Sequence, residues 1–158
     1  MDYLPKDHFK QYEISNFAKF GLSCRHNLNY WDNGPYMGLG PSAVSYIDGK
    51  REENMPDILE YIKKAPSGRS VTVFSEKLSG IASAKETAAV KIRTMEGIAL
   101  KWFKDKTGLD FLKLEEGALP RLLEERLIRY VMDKGVRSGV ALTRKGILFC
   151  DIVSGAFL

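Results

Sequence analysis

His26, Asn27, Tyr30 and Trp31 bring an imidazole, a carboxamide, a phenol and an indole into one short stretch, Cys24-Arg25-His26-Asn27-Leu28-Asn29-Tyr30-Trp31. An imidazole can serve as an axial metal ligand or a proton donor, Asn27 can donate and accept amide hydrogen bonds, and the two aromatic rings offer flat stacking surfaces. Further along, Gly38 and Gly40 in Tyr36-Met37-Gly38-Leu39-Gly40-Pro41-Ser42-Ala43-Val44-Ser45 carry no side chain and let backbone approach a ligand closely, with Val44 as an apolar wall. By residue type alone, a histidine beside aromatics is more often a hydrogen-bonded structural group than a ligand. The other histidine, His8, has nothing around it that marks a site and reads as an exposed loop residue.

The elements that must position these groups are short. The first fifty-odd residues are glycine-punctuated and lack helical periodicity. Tyr12 to Ile14 and Tyr36 to Leu39 read as strand fragments, and Ser45 to Ile47, Asp48-Gly49 and Lys50 to Glu52 read as a hairpin with an Asp-Gly turn. Pro56 opens a short amphipathic helix with Ile58, Leu59 and Ile62 on its apolar face, closed by Pro66-Ser67-Gly68. Arg69 to Leu78 is extended. Ser83 and Glu86 fit a capping box for a long helix through Ala88, Ile92, Met95, Ala99 and Trp102, interrupted at Gly97 and ended near Gly108. A second helix over 117–125, a strand pair at Leu127 to Met132 and Gly139 to Leu142, and a last helix capped by Thr143 complete a winged-helix-like pattern. No internal repeat is visible.

At 158 residues and 44% hydrophobic composition the chain can bury one ordinary core or two small ones. No stretch approaches the roughly 18 apolar residues of a membrane span, and the start has no export signal, so a soluble, cytoplasmic protein is expected. Cys24 and Cys150 are expected to be reduced thiols. The net charge of +4 lies in the later part, where residues 55–158 carry 18 Lys+Arg against 13 Asp+Glu, compared with 6 against 7 before them. Those charges mostly alternate in sign, as on a solvated helix face. A winged-helix module at 81–158 that binds DNA phosphates is the competing function. It needs several cations on one exposed helix face, and the helix over 117–125 offers only Arg121 beside Glu124 and Glu125.

His26-Asn27-x-x-Tyr30-Trp31 followed by Gly38-x-Gly40-x-x-Ala43-x-Ser45, after Tyr12-Glu13-Ile14-Ser15-Asn16-Phe17-Ala18, resembles the heme chaperone branch of the oxygen-independent coproporphyrinogen III oxidase family. Softer agreement comes from Ile92-Arg93 to Gly97-Ile98, from Leu142-Thr143-Arg144-Lys145-Gly146 and from the closing Phe157-Leu158, which resemble the family's accessory domain. The resemblance implies an α+β chain: the end of a radical-SAM barrel at 1–54, a helix and linker at 55–80, and a helical, winged-helix-like accessory domain at 81–158. It implies a parent that binds S-adenosyl-L-methionine and a [4Fe–4S] cluster through a Cys-x-x-x-Cys-x-x-Cys loop. The oxidase branch decarboxylates porphyrinogen propionates with a deoxyadenosyl radical, and the chaperone branch binds heme and hands it to an acceptor protein.

Two departures shape what is expected of this chain. Holding such a cluster with one iron open takes three thiolates, and Cys24 is followed by Arg25, His26 and Asn27 rather than by further cysteines. The chain is therefore expected to be a C-terminal portion, separated from its N-terminal barrel and noncatalytic alone, and to retain neither S-adenosylmethionine nor cluster. Met1-Asp2, starting inside what should be a barrel, suggests an expression boundary or a shortened gene product. Val44 stands where chaperone-like members often have histidine and where the oxidase branch has an aliphatic residue beside S-adenosylmethionine. That leaves Val44 able to line a pocket with Gly38 and Gly40, and His26 the better candidate for a heme-iron ligand, with Asn27, Tyr30 and Trp31 as candidate heme or porphyrin contacts. The alternative keeps Tyr30 and Trp31 as scaffold between barrel and accessory domain.

Overall fold

The computed structural model describes residues 7–158. They form two compact units, one built from residues up to 33 together with 80–158, the other from 34–79.

In the larger unit, β1 (Phe9–Gln11) and β2 (Phe17–Lys19) pair antiparallel, and α1 spans Arg25–Trp31. The strand expected at Tyr12 to Ile14 is instead the connection between β1 and β2. It is held by an isolated bridge between Glu13 and Thr94, with Ile14 N–H donating to the Arg93 carbonyl at 3.1 Å and Met95 N–H to the Tyr12 carbonyl at 3.1 Å. The segment therefore obtains its backbone partners from residues distant in sequence, which local periodicity does not reveal.

The single long helix expected from Ser83 to Trp102 is three elements: α3 (Gly80–Lys91), a two-residue strand β6 (Ile98–Ala99) and α4 (Leu100–Thr107). Ser83 lies inside α3, its carbonyl accepting from Thr87 Oγ1 at 2.8 Å, and does not cap it. The break has a backbone cause. Gly97 sits at φ 72°, and a Cβ there would stand 2.2 Å from the Val140 carbonyl oxygen, so only glycine turns the chain onto the sheet at this point. Of the expected stripe, Ala88 and Ile92 enter the core and Trp102 packs against it, but Met95 lies outside the core and Ala99 is exposed; past the break Ile98 and Phe103 reach the core instead.

After α5 (Phe111–Leu114) and α6 (Leu119–Glu124), β7 (Ile128–Asp133) and β8 (Val136–Leu142) form the expected hairpin. Together with β6 they make a three-stranded antiparallel sheet in the order β6-β8-β7. Thr143 caps α7 (Arg144–Leu148) as expected: its Oγ1 accepts from Gly146 N–H at 3.0 Å and donates to the Arg126 carbonyl at 2.6 Å. A separate helix, α8 (Cys150–Ala156), follows. The core gathers Ala84, Ala88 and Ile92 of α3 with Leu122, Val140, Val153 and a chain of rings. Phe111 meets Phe103 and Phe157 edge-on, at centroid distances of 5.3 and 5.6 Å. Helices and a small sheet around one core make this unit α+β and winged-helix-like.

In the smaller unit, β3 (Val44–Ile47), β4 (Lys50–Asn54) and β5 (Thr72–Lys77) form an antiparallel meander. The Asp48-Gly49 turn is where the sequence places it, with both residues at positive φ as such hairpin turns require. The extended segment after Gly68 finds its partner in β4. Tyr36 contributes an isolated bridge to Tyr46, so the strand expected at Tyr36 to Leu39 is reduced to its first residue. A helix, α2 (Ile58–Lys64), starts from Asp57, which accepts from Glu60 N–H at 2.8 Å. Its apolar residues Ile58, Leu59 and Ile62 are exposed.

Candidate functional site

The histidine-bearing segment folds as α1, which has no fully buried residue and so depends on side-chain anchors. At its C-terminal end Asp32 Oδ1 accepts from Lys91 Nζ at 2.6 Å, and Asn33 Nδ2 donates to Thr87 Oγ1 at 3.0 Å and to Glu86 Oε2 at 3.4 Å. These contacts fasten the helix to α3. Near its start, Asn27 Nδ2 donates to the Tyr12 hydroxyl at 3.3 Å.

Helical spacing puts residues four apart on one face. His26 and Tyr30 accordingly meet edge-to-face, with ring centroids 4.8 Å apart and planes at 87°. His26 is exposed, and the Tyr30 ring covers one side of its imidazole. Trp31 is half-buried and lies 5.3 Å from the Arg93 guanidinium, a cation–π arrangement. The structure thus brings His26, Asn27, Tyr30 and Trp31 onto a single short helix. His8, at φ 63°, is exposed before β1.

Gly38, Gly40 and Val44 belong to the smaller unit. A Cβ on Gly38 would lie 2.3 Å from the Val44 carbonyl oxygen, and Gly38 N–H donates to Ser45 Oγ at 3.0 Å. The close approach that this glycine permits is made by the chain's own β3. Gly40 N–H donates to the Tyr61 hydroxyl at 3.2 Å, and its carbonyl accepts from Asn54 Nδ2 at 2.9 Å. The glycine loop is therefore a pre-formed corner, with Val44 half-buried at its end.

Residue types alone did not mark Glu13, Lys91 or Arg93 as relevant. Glu13 was visible within the Tyr12 to Ala18 motif, but its complete burial depends on pairing with residues 93–95. Arg93 and Lys91 read as ordinary cations of a solvated helix, and only the fold directs them at Trp31 and Asp32.

An iron–sulfur cluster does not fit this donor set. Cys24 is exposed and Cys150 is buried, both are free, and burial raises the Cys150 thiol above its ordinary pKa, which disfavours the thiolate a metal needs. Among the described residues no three His, Cys, Asp or Glu side chains come together to hold a metal ion. His26 and Cys24 are exposed side chains of this segment able to bind a single metal centre. Among the described residues no helix is long and apolar enough to cross a membrane.

No protein-family model matches the chain. Among curated proteins it is 30% identical over 154 residues to the heme chaperone HemW of Lactococcus lactis, covering 94% of this chain and 40% of that protein. It is 36% identical over 153 residues to the heme chaperone HemW of Bacillus subtilis, covering 94% of this chain and 38% of that protein. The chain thus spans well under half the length of the curated relatives it matches, in their C-terminal part. Among solved structures it superposes on the coproporphyrinogen III oxidase HemN of Escherichia coli, a radical SAM enzyme, with a TM-score of 0.73 at 14% identity. That superposition covers 98% of this chain and 38% of the other.

Proposed function

Since this chain belongs to the heme chaperone and oxygen-independent coproporphyrinogen oxidase family and corresponds to its C-terminal part, we propose that it is the heme-contacting portion of a heme-handling radical-SAM protein. In this proposal His26 is the iron ligand. The single observation that carries it is the exposed His26 imidazole held edge-on against Tyr30 on a helix that α3 anchors at its other end. A ring fixed by a neighbour loses less freedom when it coordinates, which favours binding. Asn27 and Tyr30 supply a hydrogen-bonding amide and an aromatic surface beside the ligand, and Trp31, packed against Arg93, secures the end of the helix.

The division at 54 and 80 into barrel end, linker and accessory domain belongs to the same proposal, as do a cytoplasmic location and a heme-acceptor protein as eventual partner. Gly38, Gly40 and Val44 are assigned to a pocket wall of the parent, where S-adenosylmethionine would bind. The parent's N-terminal barrel would supply the cluster. The exposed Ile58, Leu59 and Ile62 of α2, with Leu39, support burial of this face by that barrel. No observation favours the nucleic-acid alternative: α6 buries Leu119 and Leu122 and has Arg121 as its only cation.

Titrating hemin into the wild-type chain and into His26→Ala, followed at the Soret band, tests the proposal. A saturable band shift that His26→Ala weakens by at least about tenfold is expected. Superimposable titrations would remove His26 as ligand.

A further inference from the structure

Four buried polar atoms in the larger unit have no hydrogen-bond partner among the described residues, Glu13 Oε2, Trp31 Nε1, Arg93 Nε and Glu115 Oε1, and the first three lie on segments that contact one another. Glu13 is fully buried, and only its Oε1 is engaged, by Ser15 N–H at 3.0 Å. Its backbone is stitched to the Arg93–Met95 segment by the Glu13–Thr94 bridge and the Ile14-to-Arg93 hydrogen bond. Cys150 lies within electrostatic reach of both Glu13 and Arg93. The Arg93 guanidinium faces the Trp31 ring on one side, and its Nη1 donates to Asp151 Oδ1 at 2.8 Å on another.

An isolated buried acceptor or donor is costly. Here one carboxylate acceptor and two N–H donors are complementary in hydrogen-bonding capacity, and the segments that carry them are joined through the Glu13–Thr94 bridge and the Arg93–Trp31 contact. The group that Arg93 faces, Trp31, is the last residue of α1, and Arg93 is in turn joined through its backbone to the segment carrying the buried Glu13 carboxylate.

We propose that Glu13 and Arg93 are positioning residues for the α1 face: through Trp31 they fix the end of the helix that presents His26. This rests on the heme reading of His26 for its functional half. Its structural half, that Glu13 and Arg93 hold the indole, stands apart from any ligand.

The test uses a Trp102→Phe background, which leaves Trp31 as the only tryptophan. Emission maximum, acrylamide quenching and hemin affinity are measured for Glu13→Gln, Arg93→Lys and Asp151→Asn. Glu13→Gln keeps the shape but places a third donor where the acceptor stood. Arg93→Lys keeps the charge but loses the flat surface over the indole. Both are expected to red-shift Trp31 emission, raise its quenching about twofold or more, and weaken hemin binding roughly tenfold. Asp151→Asn, changed at an exposed carboxylate, is expected to move emission and quenching in the same direction by less, and it decides the matter with Arg93→Lys if Glu13→Gln does not fold. Unchanged Trp31 emission and quenching in variants with wild-type circular dichroism would overturn the positioning role. So would a changed Trp31 signal with unchanged hemin affinity. Wild-type protein that fails to bind hemin would sink the heme reading instead, and the fluorescence alone would then decide whether Glu13 and Arg93 hold Trp31.

Discussion

The imidazole of His26 and the phenol of Tyr30 meet at a right angle on one face of α1, with centroids 4.8 Å apart. An edge-on aromatic contact of this kind contributes about 1 kcal/mol. If His26 binds iron, Tyr30→Leu should weaken hemin binding by about fivefold, the affinity equivalent of that energy, without altering the coordination spectrum. Unchanged affinity would show that Tyr30 does not orient the ligand.

Gly97→Ala should destabilise the larger unit by roughly 3 kcal/mol or more, because the methyl group meets both a left-handed φ and the backbone of β8. Urea denaturation checks this. A loss under about 1 kcal/mol would mean that the α3–β6 turn relaxes freely.

Glu115 gives a prediction in pH. Burial raises its carboxyl from the ordinary 4.5 to about 6, with nearby Lys85 pulling the other way. Between those values the folded chain binds more protons than the unfolded one, so stability from this group falls as pH rises and the deficit is complete above the folded value. Glu115→Gln should therefore stabilise the protein at about pH 7.5 by on the order of 1 to 2 kcal/mol, and much less near pH 4. Melting temperatures at the two pH values test it. An equal shift at both would contradict a raised pKa.

Much of the fold is legible wherever a local rule decides it. Asp48-Gly49, Thr143 and Gly108 each end or begin an element for reasons contained in a few neighbouring residues, and each does so in the structure. Gly97 shows the limit. The helical spacing read from Ala88 to Trp102 fails past Ile92, where Ala99 turns outward and Ile98 and Phe103 take the core positions, because Gly97 breaks the helix against Val140. The candidate site is legible as residue types at His26 to Trp31. What holds it in place is not, because Lys91, Arg93 and Glu13 reach α1 only through tertiary contacts. Gly38 reads as a point of close approach, and β3 makes that approach, whereas at Gly40 a Cβ would meet nothing and the glycine serves its positive φ instead, a need that residue type alone does not separate from ligand approach.

With two histidines in the chain, a histidine ligand can be traced to one residue and told apart from a thiolate, thioether or phenolate ligand. Pulsed electron paramagnetic resonance of the ferric hemin complex, prepared with nitrogen-15 histidine, reads imidazole coordination directly. A single coupled imidazole nitrogen in the wild type that vanishes in His26→Ala and persists in His8→Ala is the predicted result. Absence of coupling in the wild type, or its survival in His26→Ala, would contradict the assignment of heme binding to α1.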